Sequence, residues 1–178
     1  DELAGLTRSF AEMTQQLADA RAAVDSSMRE VEAARSVLQT ILDNLTAGVI
    51  VLDAQGMIQS SNPGATRILR APCAANTERP LGAMPGLAAF AREVQEQFTE
   101  FEGERAEHGL DHWQKAFELY GHAGGGVTTD SVSLVARGAA LPGGLRLLVF
   151  DDISEIVSAQ RAQAWGEVAR RLAHEIKN

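Results

Sequence analysis

The first 45 residues contain no proline and a single glycine, Gly5, and their apolar side chains recur in steps of three and four: Leu3, Leu6, Phe10, Met13 and Leu17. That spacing puts them in one stripe along a helix, the seam of a coiled coil. No local element is at hand to cover such a stripe, so a partner helix is the simplest cover. The seam is read onward through Ala20, Val24, Met28, Val31, Arg35, Leu38, Leu42 and Leu45. Two consecutive steps of four, Ala20 to Val24 and Val24 to Met28, predict a stutter at which two packing registers meet. Ala22, Ala23, Ser26, Ser27, Ala33 and Ala34 make residues 21–45 a weak zipper. A second proline-free stretch, residues 154–178, closes the chain, with one glycine at Gly166, either simply tolerated or a bend point, and an apolar stripe of Trp165, Val168, Leu172 and Ile176.

Between these arms the period changes. GVIVLD (48–53) and MIQSSN (57–62) predict two strands joined by a turn at 54–56, and Asn62-Pro63 predicts a capped helix over 64–69. Residues 70–85 hold three of the five prolines and read as loop or short helix. Leu87, Phe90, Val94, Phe98 and Phe101 mark one face of a helix over 86–107. Three strands are expected after it: 112–120 with Trp113, Phe117 and Leu119, 128–137 with Val132 and Leu134 inward, and 145–150. Turns at Gly124-Gly125-Gly126 and over 138–144 join them. Five antiparallel strands with flanking helices make an α+β domain between two long coiled-coil helices.

Composition narrows the function. Sixteen basic and 24 acidic side chains leave a net charge of −8, with no basic patch to hold nucleic acid. Cys73 is the one cysteine, so no internal disulfide and no Cys/His metal cluster is expected. The longest apolar run, around Gly48–Leu52, is far shorter than the ~20 residues of a membrane span. His108, His112 and His122 are isolated in polar surroundings, and a covalently or metal-bound cofactor is not expected from them. The three glycines at 124–126 lack the lysine and the strand–loop–helix setting of a phosphate loop.

The chain ends in His174-Glu175-Ile176-Lys177-Asn178. At about 100° per residue, His174 lies roughly 180° from Trp165 and so faces away from the apolar stripe. Asn178, Arg170 and Glu167 share its face, and Glu175 stands beside it. A histidine on a solvated face is ordinarily a surface residue. A neighbouring carboxylate changes its chemistry, because it can hold one ring proton and leave the other nitrogen to accept a phosphoryl group. An amide at Asn178 can orient a water, and Arg170 and Arg171 can offset phosphate charge.

HEIKN resembles the phosphoacceptor box of sensor histidine kinases, and the longer run AWGEVARRLAHEIKN resembles the NtrY-type nitrogen-regulation sensors. By that resemblance His174 is the phosphorylated residue, Glu175 its acid/base partner, and Asn178 the residue needed for phosphatase activity. The opening DELAGLTRSFAEMTQQL resembles the second helix of a HAMP domain, with its usual glycine displaced by one to Gly5. The strand–turn–strand–Asn-Pro–helix run resembles the opening of a PAS domain. Asp151-Asp152-Ile153-Ser154 resembles the Asp-Ile-Thr junction at which such a domain passes its signal to an output helix, so Asp152, Ile153 and Ser154 are the expected relay.

The resemblance implies four segments: a HAMP helix over 1–20, a signalling helix over 21–45, a PAS sensor over 46–153, and the start of a dimerisation and phosphotransfer helix over 154–178. It implies a parallel homodimer and transfer of the γ-phosphate of ATP to His174, then to an aspartate of an NtrX-like response regulator. The ATP-binding domain is expected beyond Asn178, so residues 1–178 alone should not use ATP. The full-length protein is expected in the bacterial inner membrane through an upstream segment, with these residues in the cytoplasm. Whether the PAS interior takes a ligand stays open. Two other readings stand beside the kinase: a non-catalytic PAS dimerisation module, and a ligand sensor, haem included.

Overall fold

A computed structural model describes residues 1–120 and 131–177. The chain divides into two units, Asp1–Leu42 and Asp43–Asn178. Helix α1 (Glu2–Asn44) runs without a break through the first unit, and none of its residues is buried. Leu3, Phe10, Leu17, Val24, Val31 and Leu38 all stand in solvent along one side.

A second register also fits α1, one in which the heptad runs on without the stutter. The first seam position stays in phase throughout: Leu3, Phe10, Leu17, Val24, Val31, Leu38, Leu45. The second is Leu6, Met13, Ala20, Ser27, Ala34, Ile41. Met28, Arg35 and Leu42 each lie one residue past Ser27, Ala34 and Ile41, the positions of the continuous heptad. Val37 and Ile41, absent from the expected seam, are also exposed. The apolar face therefore widens in the last two turns.

The second unit is built on one sheet. Strands β1 (Gly48–Leu52), β2 (Ile58–Ser61), β3 (Trp113–Tyr120), β4 (Ser131–Ala140) and β5 (Arg146–Asp152) lie in the order β2-β1-β5-β4-β3, every pair antiparallel. Helices α2 (Pro63–Leu69) and α3 (Ala88–His108) cover one face. Strand alternation turns Ile50, Leu52, Leu134, Ala136, Leu148 and Phe150 to that face, where they are fully buried with Phe90, Val94, Phe98 and Phe101 of α3. Phe90 meets Phe117 and Phe150 edge-on, and Phe98 meets Trp113 edge-on with ring centres 5.1 Å apart.

Asn62 holds the first half of the domain. Its side-chain oxygen accepts from Val49 N at 2.8 Å and from Ala65 N at 2.9 Å, and its amide donates to Ala47 O. One buried side chain thus caps α2 and ties it to β1. The turn before β2 is set by Asp53, whose Oδ1 accepts from Gln55 N and Met57 N.

Three local expectations are corrected. Residues 138–140 belong to β4 and not to a turn: the Trp113 indole lies against Gly138, its cross-strand partner, where any Cβ would collide with the ring. The turn is Leu141 to Leu145, closed by Leu141 N donating to Leu145 O at 2.8 Å, with Gly143 and Gly144 at positive φ. The last strand is not simply apolar, because it opens on the buried Arg146. Its Nε and Nη2 both donate to Glu102 Oε1 of α3, at 3.1 and 2.9 Å, and its guanidinium stacks on Phe98. Cys73, expected in an open loop, is fully buried beside the short 3-10 turn Ala74–Asn76. Burial pushes its thiol above the ordinary 9.0.

The triple glycine at 124–126, His122 and the first three residues of the expected strand over 128–137 fall outside the described residues. So does Asn178.

Candidate functional site: the junction and the output helix

Strand β5 carries its pairing past its own end. Ile153 N donates to Ser133 O at 2.8 Å, continuing the register in which Leu134 faces Asp152. Ser133 N in turn donates to Ser154 Oγ at 3.0 Å, and Asp152 Oδ1 accepts from Ser154 N at 2.9 Å. The three expected relay residues therefore do one thing together. Asp152 shapes the turn, Ile153 extends the sheet by a residue, and Ser154 ends it as its hydroxyl oxygen accepts from Ser133 N of β4. Helix α4 (Ser154–Lys177) starts at that point, with Glu155 in its first turn, where a carboxylate complements the helix dipole.

A second tie follows two turns on. Arg161 Nη2 lies 3.6 Å from Glu118 Oε1 of β3, and Glu118 also accepts the Tyr120 hydroxyl at 2.9 Å. That hydrogen bond, together with the charge of Glu118, raises the phenol above its ordinary 10.0. Phe117 is in the core, so alternation turns Glu118 to the opposite face of the sheet, away from α3. Glu118 and Ser133 are direct cross-strand partners. Glu118 and Arg161 were not legible as a pair in the sequence. The one signal was Arg161 standing four residues before Trp165, a polar residue in line with the apolar stripe.

Beyond these ties α4 stands free of the domain. Trp165, Val168, Leu172 and Ile176 are all exposed, Trp165 by 73%. His174 and Glu175 lie in the last turn, also exposed. Exposure alone does not set the histidine's face apart in this single chain. Spacing does, since His174 is half a turn from Trp165.

His108 ends α3 and His112 precedes β3, both exposed, so neither faces the core as a haem ligand would. Among the described residues no group of three or more His, Cys, Asp and Glu could hold a metal ion. A surface hollow of about 330 Å³ lies between α3 and β3, with Phe90, Glu93 and Phe117 in its lining. Among the described residues no helix is long and apolar enough to cross a membrane.

The fold is that of a PAS domain. A PAS domain of an HTR-like protein from Haloarcula marismortui superposes with a TM-score of 0.51 at 23% identity, covering 72% of this chain and 99% of that one. A PAS domain from Colwellia psychrerythraea covers 70% of this chain and 98% of its own, with a TM-score of 0.49 and 16% identity. Along its sequence the chain is similar to nitrogen regulation protein NtrY of Azorhizobium caulinodans, 30% identical over 191 aligned residues that take in 99% of this chain. The resemblance to the NtrY-type sensor kinases is borne out. The chain spans 21% of that relative's length. No protein-family model matches the sequence.

Proposed function

We propose that residues 1–178 are the sensing and transmitting segment of a two-component sensor histidine kinase, and that His174 is its phosphoacceptor. The observation that carries this is the HEIKN box, whose His174 and Glu175 lie in the last turn of a helix that leaves a PAS sheet through a hydrogen-bonded junction. The chemistry follows from the residues. Glu175 holds one imidazole proton, and the other ring nitrogen, in solvent, attacks the γ-phosphorus of ATP while ADP departs. Arg170 and Arg171 lie about one turn before it, where they draw off phosphate charge. Asn178 orients the water that returns the system to its resting state. The phosphoryl group passes next to an aspartate of an NtrX-like response regulator.

ATP is held by a domain outside these residues. An upstream segment holds the full-length protein in the bacterial inner membrane, with residues 1–178 on the cytoplasmic side. Two copies pair in parallel, because the stripes of α1 and of α4 each present apolar side chains to water. The test is labelling of the full-length protein from γ-labelled ATP. Label that is stable to alkali, labile to acid and lost in His174→Gln is expected. Label that persists in His174→Gln overturns the assignment.

A further inference from the structure

Ser154, Val157 and Arg161, three and four residues apart, form the side of α4 turned to its own sheet. Ser154 binds Ser133, Val157 is half-buried, and Arg161 meets Glu118. The same three-and-four spacing runs on without a break through Trp165, Val168 and Leu172. One face of one helix thus has two occupations, its own sheet for the first two turns and a stripe open to solvent for the rest.

Resting on the paired α4 helices proposed above, we propose that Arg161 is the boundary residue between these two occupations, and that its ion pair with Glu118 sets where the helix pair begins. If the pairing of Trp165, Val168 and Leu172 were extended toward the N-terminus, the next seam positions would be Arg161 and then Ser158. Two copies of Arg161 would then face each other on the axis, a like-charge contact in a desolvating seam. Glu118 takes that charge to the sheet instead. The two anchors fix direction and rotation together. Ser133 and Glu118 are neighbours across β4 and β3, while Ser154 and Arg161 are one heptad apart and only about 20° out of phase. Because the long arginine side chain leans toward the helix N-terminus, it reaches back to a strand neighbour of the first anchor. Glu118 also accepts from the Tyr120 hydroxyl, so the end of β3 bears on the residue that holds α4. Arg161 acts here by positioning the helix, with no contact to the reacting atoms.

Disulfide cross-linking between copies of the full chain tests this. Ser158→Cys reports on the helix pair before Arg161, and Leu172→Cys reports on it beyond; the buried Cys73 stays silent. The 158 site should cross-link well below the 172 site. Arg161→Leu should raise the ratio of the two by about fivefold, the factor an exposed ion pair is worth at its upper end. Exchange of the charges, Glu118→Arg with Arg161→Glu, should keep it at the starting value. An unchanged ratio in Arg161→Leu, or an exchanged pair that behaves like Arg161→Leu, overturns the boundary role while leaving the pairing intact. No cross-link at 172 in any variant overturns the pairing itself.

Discussion

At the scale of single residues, the side chains that hold the PAS sheet are those with partners far off in sequence. Arg146 is the sharpest case. Its side chain is 6% exposed and two of its nitrogens rest on Glu102, 44 residues earlier, itself half-exposed. Glu102→Ala should therefore cost about 1–3 kcal/mol by leaving a buried guanidinium short of its carboxylate, read as a lower urea midpoint. Gly138→Ala should cost about as much, roughly 1–3 kcal/mol, because Trp113 must leave its place on β4. Neither role was legible in the sequence. Arg146 looks like the polar first residue of a strand until Glu102 is known to face it, and Gly138 looks like a turn until Trp113 is laid across it. Asn62 was legible, because an Asn-Pro pair before a helical stretch names its own job as a cap. Its bonds to Val49 and Ala47 were not.

Cys73 gives a pH prediction at the same scale. Its thiol is raised above 9.0 by burial, so the neutral form is favoured in the folded state. Its contribution to stability is complete below the unfolded pKa and is lost as pH rises through the folded one. Unfolding midpoints should fall as the pH rises above 9.0, and fall less in Cys73→Ala measured against its own neutral-pH value. Alkylation of Cys73 should wait on opening of the domain.

At the scale of elements, strand and helix boundaries came within a few residues because the period of the apolar pattern switches cleanly from 3.5 to 2 and back. The seam of α1 was legible, and two registers fit it: Ser27 and Ala34 belong to the continuous heptad, Met28 and Arg35 to the one with the stutter. One residue inserted after Ala20 turns everything downstream by about 100° and should change phosphorylation strongly in the full-length protein. Seven inserted there restore the phase and should largely preserve it. Equal effects of the two insertions would show that α1 does not transmit by register. The start of α4 at the junction was legible, since a hydroxyl residue after Asp-Ile marks a cap. Its second anchor, Glu118 to Arg161, was hidden because it joins an edge strand to a helix 43 residues away.

At the scale of the whole molecule, the account rests on a pattern of exposure. The PAS core closes on itself, with Phe98, Phe150, Leu134 and Leu148 out of reach of water. The arms do not: Leu3, Phe10 and Leu17 in one and Trp165, Leu172 and Ile176 in the other remain in solvent. Soluble chains seldom leave such stripes wet, and each buried Å² of apolar surface stabilises by about 25 cal/mol. The account's central claim is that a second copy covers both stripes and so brings the two His174 helices side by side. Sedimentation of residues 1–178 at about ten times the concentration of a micromolar dissociation constant tests it most directly. The account predicts a species of twice the 19.0 kDa chain mass, reduced to monomer when Phe10, Leu17 and Trp165, Leu172 are together replaced by Asp. A monomer of the unaltered chain at that concentration would contradict it.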